Sequence, residues 1–203
     1  MRTETLALIA SLFFTLACNG AFWAALTAQK SWLSFDTGYL LFFTSLLMTG
    51  LQWLLLLLVI NRWTAKPLLI LLFCLTAPAV YFMSKYGVYL DKTMLRNIFE
   101  TDAREASELL DWAMLPYWLG YAVVPAALLW HVKVAHTSLK HAAAARAASL
   151  LAAVVMVVAG VWPVMNQLVP TLREHKELRY LVTPSNYIIA TVRVMAAQPV
   201  ALA

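Results

Sequence analysis

Five long apolar runs, at 6–26, 40–60, 67–86, 114–131 and 147–169, decide what this 203-residue chain can fold into. A helix needs ~20 apolar residues to cross the hydrocarbon core of a bilayer. Only helices and closed barrels satisfy their own backbone hydrogen bonds there. The composition agrees: 63% of residues are hydrophobic and 12% are charged, against about a quarter charged in soluble domains. The reading is an all-α membrane protein, with residues 1–169 as a five-helix transmembrane domain. The first run is read as an uncleaved helix rather than a signal peptide. Only Arg2 precedes it, and the small-residue site near Ala28 is weak.

Five spans place the two ends of the chain on opposite sides. With the N-terminus inside, the inner face carries Arg2, Arg62, Lys66, Lys133, Lys140 and Arg146 against Glu4 alone, while the outer side balances nine bases with nine acids. By raw count of bases the inner side has fewer, but Arg62 and Lys66 crowd a very short loop, where the positive-inside rule weighs most. The expectation is N-in and C-out. Trp32, Tyr39, Trp63, Trp112, Tyr117 and Trp118 fall near the predicted span ends, where aromatic belts sit.

Within the spans, Asn19, Gln52, Asn166 and Gln167 read as helix–helix hydrogen-bonding residues, each bond contributing about 1 kcal/mol. Pro78, Pro125 and Pro163 are expected to kink the third, fourth and fifth helices. Cys18 and Cys74 lie inside spans with no metal-ligand spacing and read as small core residues. No intramembrane carboxylate, inverted repeat or matched pair of broken helices argues for a transporter. The charge of +5 is spread over the loops, so it forms no nucleic-acid footprint.

One polar island, 86–111, interrupts the apolar pattern. Asp91 reads as an N-cap, and 92–110 has helical periodicity, with Met94, Leu95, Ile98, Phe99 and Leu109 on one half of the wheel and Arg96, Glu100 and Arg104 on the other. This predicts an amphipathic helix lying on the outer membrane interface. Asn97, Thr101 and Glu105 recur at i, i+4 and i+8, aligned over about 12 Å, with Glu108 close beside them. Two carboxylates, a hydroxyl and an amide in a row suit an ammonium head group and its phosphate. They suit equally a solvated face with Arg96–Glu100 pairing, worth only tenths of a kcal/mol.

After the fifth run comes a charged exit segment, 170–203. It contains a turn signal at Pro184, Ser185 and Asn186 and a short amphipathic stretch, 186–197, expected to lie on the membrane as well. His175 has no metal-spaced partners around it.

Two stretches carry a resemblance. Tyr86, Gly87, Asp91, Met94, Asn97, Thr101, Asp102 and Glu105 fall in an order and spacing that resembles the periplasmic stretch of the lipid A phosphoethanolamine transferases. The run HKELRYLVTPSNYI at 175–188 resembles the passage from that family's fifth membrane helix toward its catalytic domain. The chain looks most like the mobile colistin-resistance branch. The resemblance implies five transmembrane helices followed by a soluble periplasmic α/β domain that holds zinc and a threonine nucleophile. That domain would take phosphoethanolamine from phosphatidylethanolamine and pass it to lipid A in the bacterial inner membrane. These 203 residues would then be the membrane domain alone, with no catalytic residue and no cofactor of its own. Their partners would be phosphatidylethanolamine and the chain's own catalytic domain, lipid A entering with the full-length enzyme.

The same resemblance implies that Asn97, Thr101 and Glu105 help shape a donor-lipid pocket, with Tyr86 and Glu108 near it. A passive membrane anchor, whose polar stripe only seats the catalytic domain, is the alternative.

Overall fold

The computed structural model describes residues 1–28, 30–31, 34–88, 94, 96–97, 111–135, 138–174, 178 and 180–197. Those residues are helical or irregular, with no strand among them. The helices are α1 (Thr3–Ala17), α2 (Gly20–Thr27), α3 (Phe35–Val59), α4 (Ala65–Tyr86), α5 (Trp112–His131), α6 (Leu139–Glu174) and α7 (Ser185–Ala197). By length and composition α3, α4, α5 and α6 each suffice to cross a membrane, and the pair α1–α2 makes a fifth span if its two halves count as one. The fold is an integral-membrane helical bundle. Its lipid face is plain on α6, where Leu151, Val155, Val158 and Trp162 are exposed.

The first run departs from the expected continuous span. α1 and α2 meet at a 50° bend, and local hydrogen bonds explain why the chain tolerates it. A broken helix leaves carbonyls without N–H partners, which costs dearly in lipid. Here Asn19 Nδ2 donates to Phe14 O at 2.7 Å and Trp23 Nε1 donates to Thr15 O at 2.9 Å. The Trp23 indole thus supplies Thr15 with a donor at the bend, and the Asn19 amide adds a second donor at Phe14 O, which also accepts from Cys18 N–H at 3.2 Å.

The helices expected to kink at proline are continuous through it. α4 continues through Pro78, and α6 continues through Pro163 and Pro170. In α5 the ladder shifts register ahead of Pro125, becoming π-helical over Leu119–Val123, with Val124 N–H reaching Leu119 O. The fifth helix also outruns its apolar stretch. It takes in Pro170 and ends at Glu174, so the first residues of the expected exit segment are helix. Thr171 Oγ1 donates to Gln167 O at 2.8 Å, beside the break that Pro170 makes in the backbone ladder.

α3 and α6 form the most extensive pairing. Small residues allow it. A Cβ at Gly160 would lie 2.5 Å from Leu47 N and 2.7 Å from its Cα, and one at Gly50 would lie 3.1 Å from Met156 Cβ. α1 packs on the other side of α3. At the end that carries the N-terminus, Glu4 pairs with Arg146 at 3.7 Å and the Arg146 guanidinium donates to Ile60 O. Trp53 Nε1 donates to Glu4 O at 3.0 Å. These contacts tie α1, the end of α3 and the start of α6 together.

Candidate functional site

α4 ends with Tyr86, capped by Gly87 at φ 63°, the left-handed region where glycine carries no Cβ penalty. Tyr86 is 54% exposed. Its ring stacks on Phe82, with centroids 5.7 Å apart, and meets Tyr81 edge-on at 6.0 Å. Tyr81 meets Tyr117 of α5 at 5.3 Å, and Tyr117 lies 6.0 Å from Tyr121. The helix periods of α4 and α5 thus build one aromatic seam at this end of the bundle.

Lys85 projects into the seam. Its Nζ lies 5.1 Å from the Tyr81 ring centroid and 5.5 Å from that of Tyr86. It donates to Asp111 Oδ2 at 2.6 Å and to Tyr81 Oη at 2.8 Å. The hydrogen bond from Lys85, with the Ala113 N–H on Asp111 Oδ1 at 3.3 Å, holds the Asp111 carboxyl below the usual aspartate range. Asp111 caps the turn that opens α5. It also borders a surface pocket of about 390 Å3 lined by Trp112, Met114, Leu115 and Trp118. An ammonium held over aromatic faces beside a carboxylate matches both charges of a zwitterion: the cation suits a phosphate, and the carboxylate with the rings suits an amine.

Of the sequence-derived site residues, Tyr86 stands at this seam. Met94, Arg96 and Asn97 are helical, Met94 packing on the core and Asn97 exposed. Thr101, Glu105 and Glu108, and with them most of the expected interfacial helix 92–110, lie outside the described residues. Lys85, Tyr81 and Asp111 were not singled out from sequence. The available signal was Tyr81, Lys85 and Tyr86 at i, i+4 and i+5 in a last helical turn, where a cation is favoured.

The exit segment is the larger surprise. Gln52 bonds a neighbouring helix, as its position in an apolar run suggests, but it and Asn19 also reach the exit segment. Asn19 Nδ2 and Gln52 Nε2 both donate to Thr183 O, at 2.9 and 3.0 Å, and Thr183 N–H donates to Asn19 Oδ1 at 2.7 Å. Thr15 Oγ1 in turn donates to Gln52 Oε1 at 3.3 Å. All four residues are buried. The Thr183–Pro184 peptide is cis. Nor does α7 simply rest on the surface: Asn186 and Tyr187 are buried, and Tyr187 Oη lies 3.1 Å from Thr76 Oγ1 in the middle of α4. Asn166 and Gln167 are exposed and take no part.

Among the described residues no three His, Cys, Asp or Glu side chains come together as a metal ion requires.

This architecture is that of a polytopic membrane domain with a polar, aromatic-lined patch at one end and a C-terminal segment plugged into its core. The family model described as phosphoethanolamine transferase EptA/EptB matches residues 48–198, and the chain belongs to that family. It is 30% identical over 174 residues to the phosphatidylethanolamine transferase Mcr-1 of Escherichia coli, covering 86% of this chain and 32% of that protein. It is 31% identical over 131 residues to the phosphoethanolamine transferase EptA of Escherichia coli strain K12, covering 64% of this chain and 24% of that protein. The bundle superimposes on the integral membrane lipooligosaccharide phosphoethanolamine transferase A (EptA) from Neisseria meningitidis with a TM-score of 0.87. That match is at 21% identity, over 95% of this chain and 36% of that one. The chain therefore spans a quarter to a third of the length of the curated relatives it matches.

Proposed function

We propose that this chain is the membrane domain of a phosphoethanolamine–lipid A transferase, and that its Tyr86 end receives the head group of the donor lipid phosphatidylethanolamine. The observation that carries this reading is the placement of Tyr86, Lys85 and Asp111. They form one exposed ammonium–aromatic–carboxylate patch whose residues flank in sequence the stretch bearing Asn97, Thr101, Glu105 and Glu108, in a member of this family. On this reading the N-terminus is cytoplasmic, the Tyr86 end is periplasmic, and the protein resides in the bacterial inner membrane. The full-length enzyme would modify lipid A, reduce the negative charge of the outer membrane and confer polymyxin resistance. Zinc and the nucleophile would belong to a separate catalytic domain.

An interfacial pocket is also the least costly geometry. Lifting a head group slightly leaves the acyl chains in the bilayer, whereas extracting them costs ~0.8 kcal/mol per exposed methylene. The catalytic domain would therefore come down to the membrane and meet the lipid there.

A second reading is favoured by the buried clamp on Thr183: the domain is an anchor that fixes the height and direction at which the chain leaves the membrane. Lipid titration of the 203-residue chain, followed by NMR, separates the two. A head-group receptor shows shifts at Tyr86 and Asn97 with phosphatidylethanolamine and not with phosphatidylglycerol. Equal shifts with both lipids would leave the anchor.

A further inference from the structure

At the opposite end of the bundle, where the N-terminus lies, the described residues enclose a cleft of about 530 Å3 between the start of α1, the α3–α4 loop and the start of α6. Its size falls within the ~300–1,000 Å3 range of small-molecule sites. Arg2, Arg62, Arg146 and His141 line it, and Glu4 is the one carboxylate among the described lining residues. That carboxylate is already committed: it pairs with Arg146, whose guanidinium also reaches Ile60 O. Arg2 and Arg62 are exposed, and among the described residues neither pairs with a carboxylate. Two guanidinium charges therefore face a concave space with no internal counter-charge.

The walls are held in place. Asn61 Oδ1 accepts from the N–H groups of Trp63 and Thr64 at 2.9 and 3.0 Å, and Asn61 N–H donates to Thr64 Oγ1 at 2.9 Å. The loop that carries Arg62 is thus a closed, hydrogen-bonded turn. On the other side Met1 is fixed by its amine to Lys133 O at 2.7 Å and by its carbonyl to Ala135 N at 2.9 Å, which positions Arg2. Trp63 lines the cleft, and Leu58 and Val59 end α3 just before the loop that carries Arg62. Leu58, Val59 and Trp63 are 65%, 61% and 79% exposed, and the Arg62 guanidinium lies 5.1 Å from the Trp63 ring centroid. A polar cleft of positive sign, lined by one exposed tryptophan and close in the chain to two more exposed apolar side chains, fits a phosphodiester with acyl chains attached.

We propose that this cleft binds the head group of an anionic phospholipid, with Arg2 and Arg62 on the phosphate and the acyl chains running along Leu58 and Val59. A guanidinium pairs with phosphate through two parallel hydrogen bonds, and basic pockets between membrane helices are where anionic lipids are retained. This site is at the other end of the bundle from the proposed donor-lipid patch. It differs from that patch in head-group preference, favouring anionic over zwitterionic lipid, and it stands whether or not the donor-lipid reading does.

The test is native mass spectrometry of the 203-residue protein in detergent with added dioleoyl phosphatidylglycerol or dioleoyl phosphatidylcholine. Wild type retains phosphatidylglycerol and sheds phosphatidylcholine. Arg2→Gln with Arg62→Gln lowers phosphatidylglycerol occupancy roughly tenfold or more. Arg62→Lys keeps most of it, and Lys30→Gln, at the other end of the molecule, changes nothing. Circular dichroism verifies that each variant stays folded, and both arginines are exposed enough to be replaced without disturbing the core. Equal retention of the two lipids by wild type, or undiminished phosphatidylglycerol on the double variant, overturns the proposal. Displacement of the lipid by millimolar inorganic phosphate overturns it too, because the cleft would then select a free anion and not a lipid.

Discussion

Asn19 holds Thr183 with both ends of its amide, donating from Nδ2 to the Thr183 carbonyl at 2.9 Å and accepting the Thr183 N–H on Oδ1 at 2.7 Å. The two residues are 164 positions apart and fully buried. The bond joins the bend between α1 and α2 to the buried segment that leads into α7. Asn19→Leu leaves the Thr183 N–H without its acceptor, at about 1–3 kcal/mol for a buried orphan. A lowered thermal midpoint in detergent, with earlier proteolysis near 183, is the expected outcome. Asn19→Asp keeps an acceptor for that N–H but sets a carboxylate against two carbonyls, and is expected to be no more stable than Asn19→Leu.

Gly160 tests the closest helix crossing. An added Cβ would stand 2.5 Å from Leu47 N, backbone that has nowhere to go. Alanine gains up to about 1 kcal/mol in helix propensity, but overpacking costs about 1–3 kcal/mol, so Gly160→Ala is expected to lower the thermal midpoint. Gly38→Ala, on α3 as Leu47 is but with nothing within 4 Å of the new Cβ, is expected to hold or raise it. The opposite order would mean that α3 and α6 do not approach as described.

Asp111 gives a pH dependence of definite sign. Its folded value lies below the ordinary 3.8 because Lys85 donates to it. The pair therefore contributes fully above pH 3.8, and the contribution is lost as pH falls through the folded value. With Lys85 and Asp111 side chains 38% and 46% exposed, solvent screens the effect and it is modest. Carbon-13 NMR of the Asp111 carboxyl is expected to show titration below 3.8 in wild type and a return toward the ordinary value in Lys85→Met.

Tyr187→Phe removes the hydroxyl that meets Thr76 at 3.1 Å and Leu72 O at 3.4 Å while leaving the ring in place. A loss of about 1 kcal/mol is expected. In a double-mutant cycle with Thr76→Val the two losses should not fully add, because they share the contact between the two hydroxyls. Additive losses would show that α7 is not docked on α4.

On the proposed function, Tyr86→Ala and the triple Asn97→Ala, Thr101→Ala, Glu105→Ala variant, each placed in a full-length transferase, are expected to lower polymyxin resistance at equal expression. Unchanged resistance in both would remove the head-group role and leave the anchor reading.

The apolar runs, the lipid-facing character of the helices and the family signature at 86–105 were legible in the chain because each is local. A run of ~20 apolar residues has one stable fate in a bilayer, and a motif is read residue by residue. The docking of 178–197 was not legible. Charge and turn residues there look like a linker, and nothing in that stretch reveals that the Thr183 backbone is the counterpart of Asn19 and Gln52. The 50° bend was hidden for the same reason: Asn19 inside an apolar run reads as a helix-pairing amide until its acceptors, Phe14 O and Thr183 O, are known.

The polar patch divides along the same line. Tyr86 was named from its motif, whereas Lys85 and Asp111, 26 positions apart, became partners only once α4 and α5 lay side by side. Sequence by itself determined which runs are apolar enough to cross a membrane and which family the chain resembles, since hydropathy and motif order need no knowledge of neighbours. Tertiary structure alone decided where each buried polar group finds its partner. In a medium without water that choice is made by whichever segment can reach the unsatisfied donor or acceptor, however distant it is along the chain.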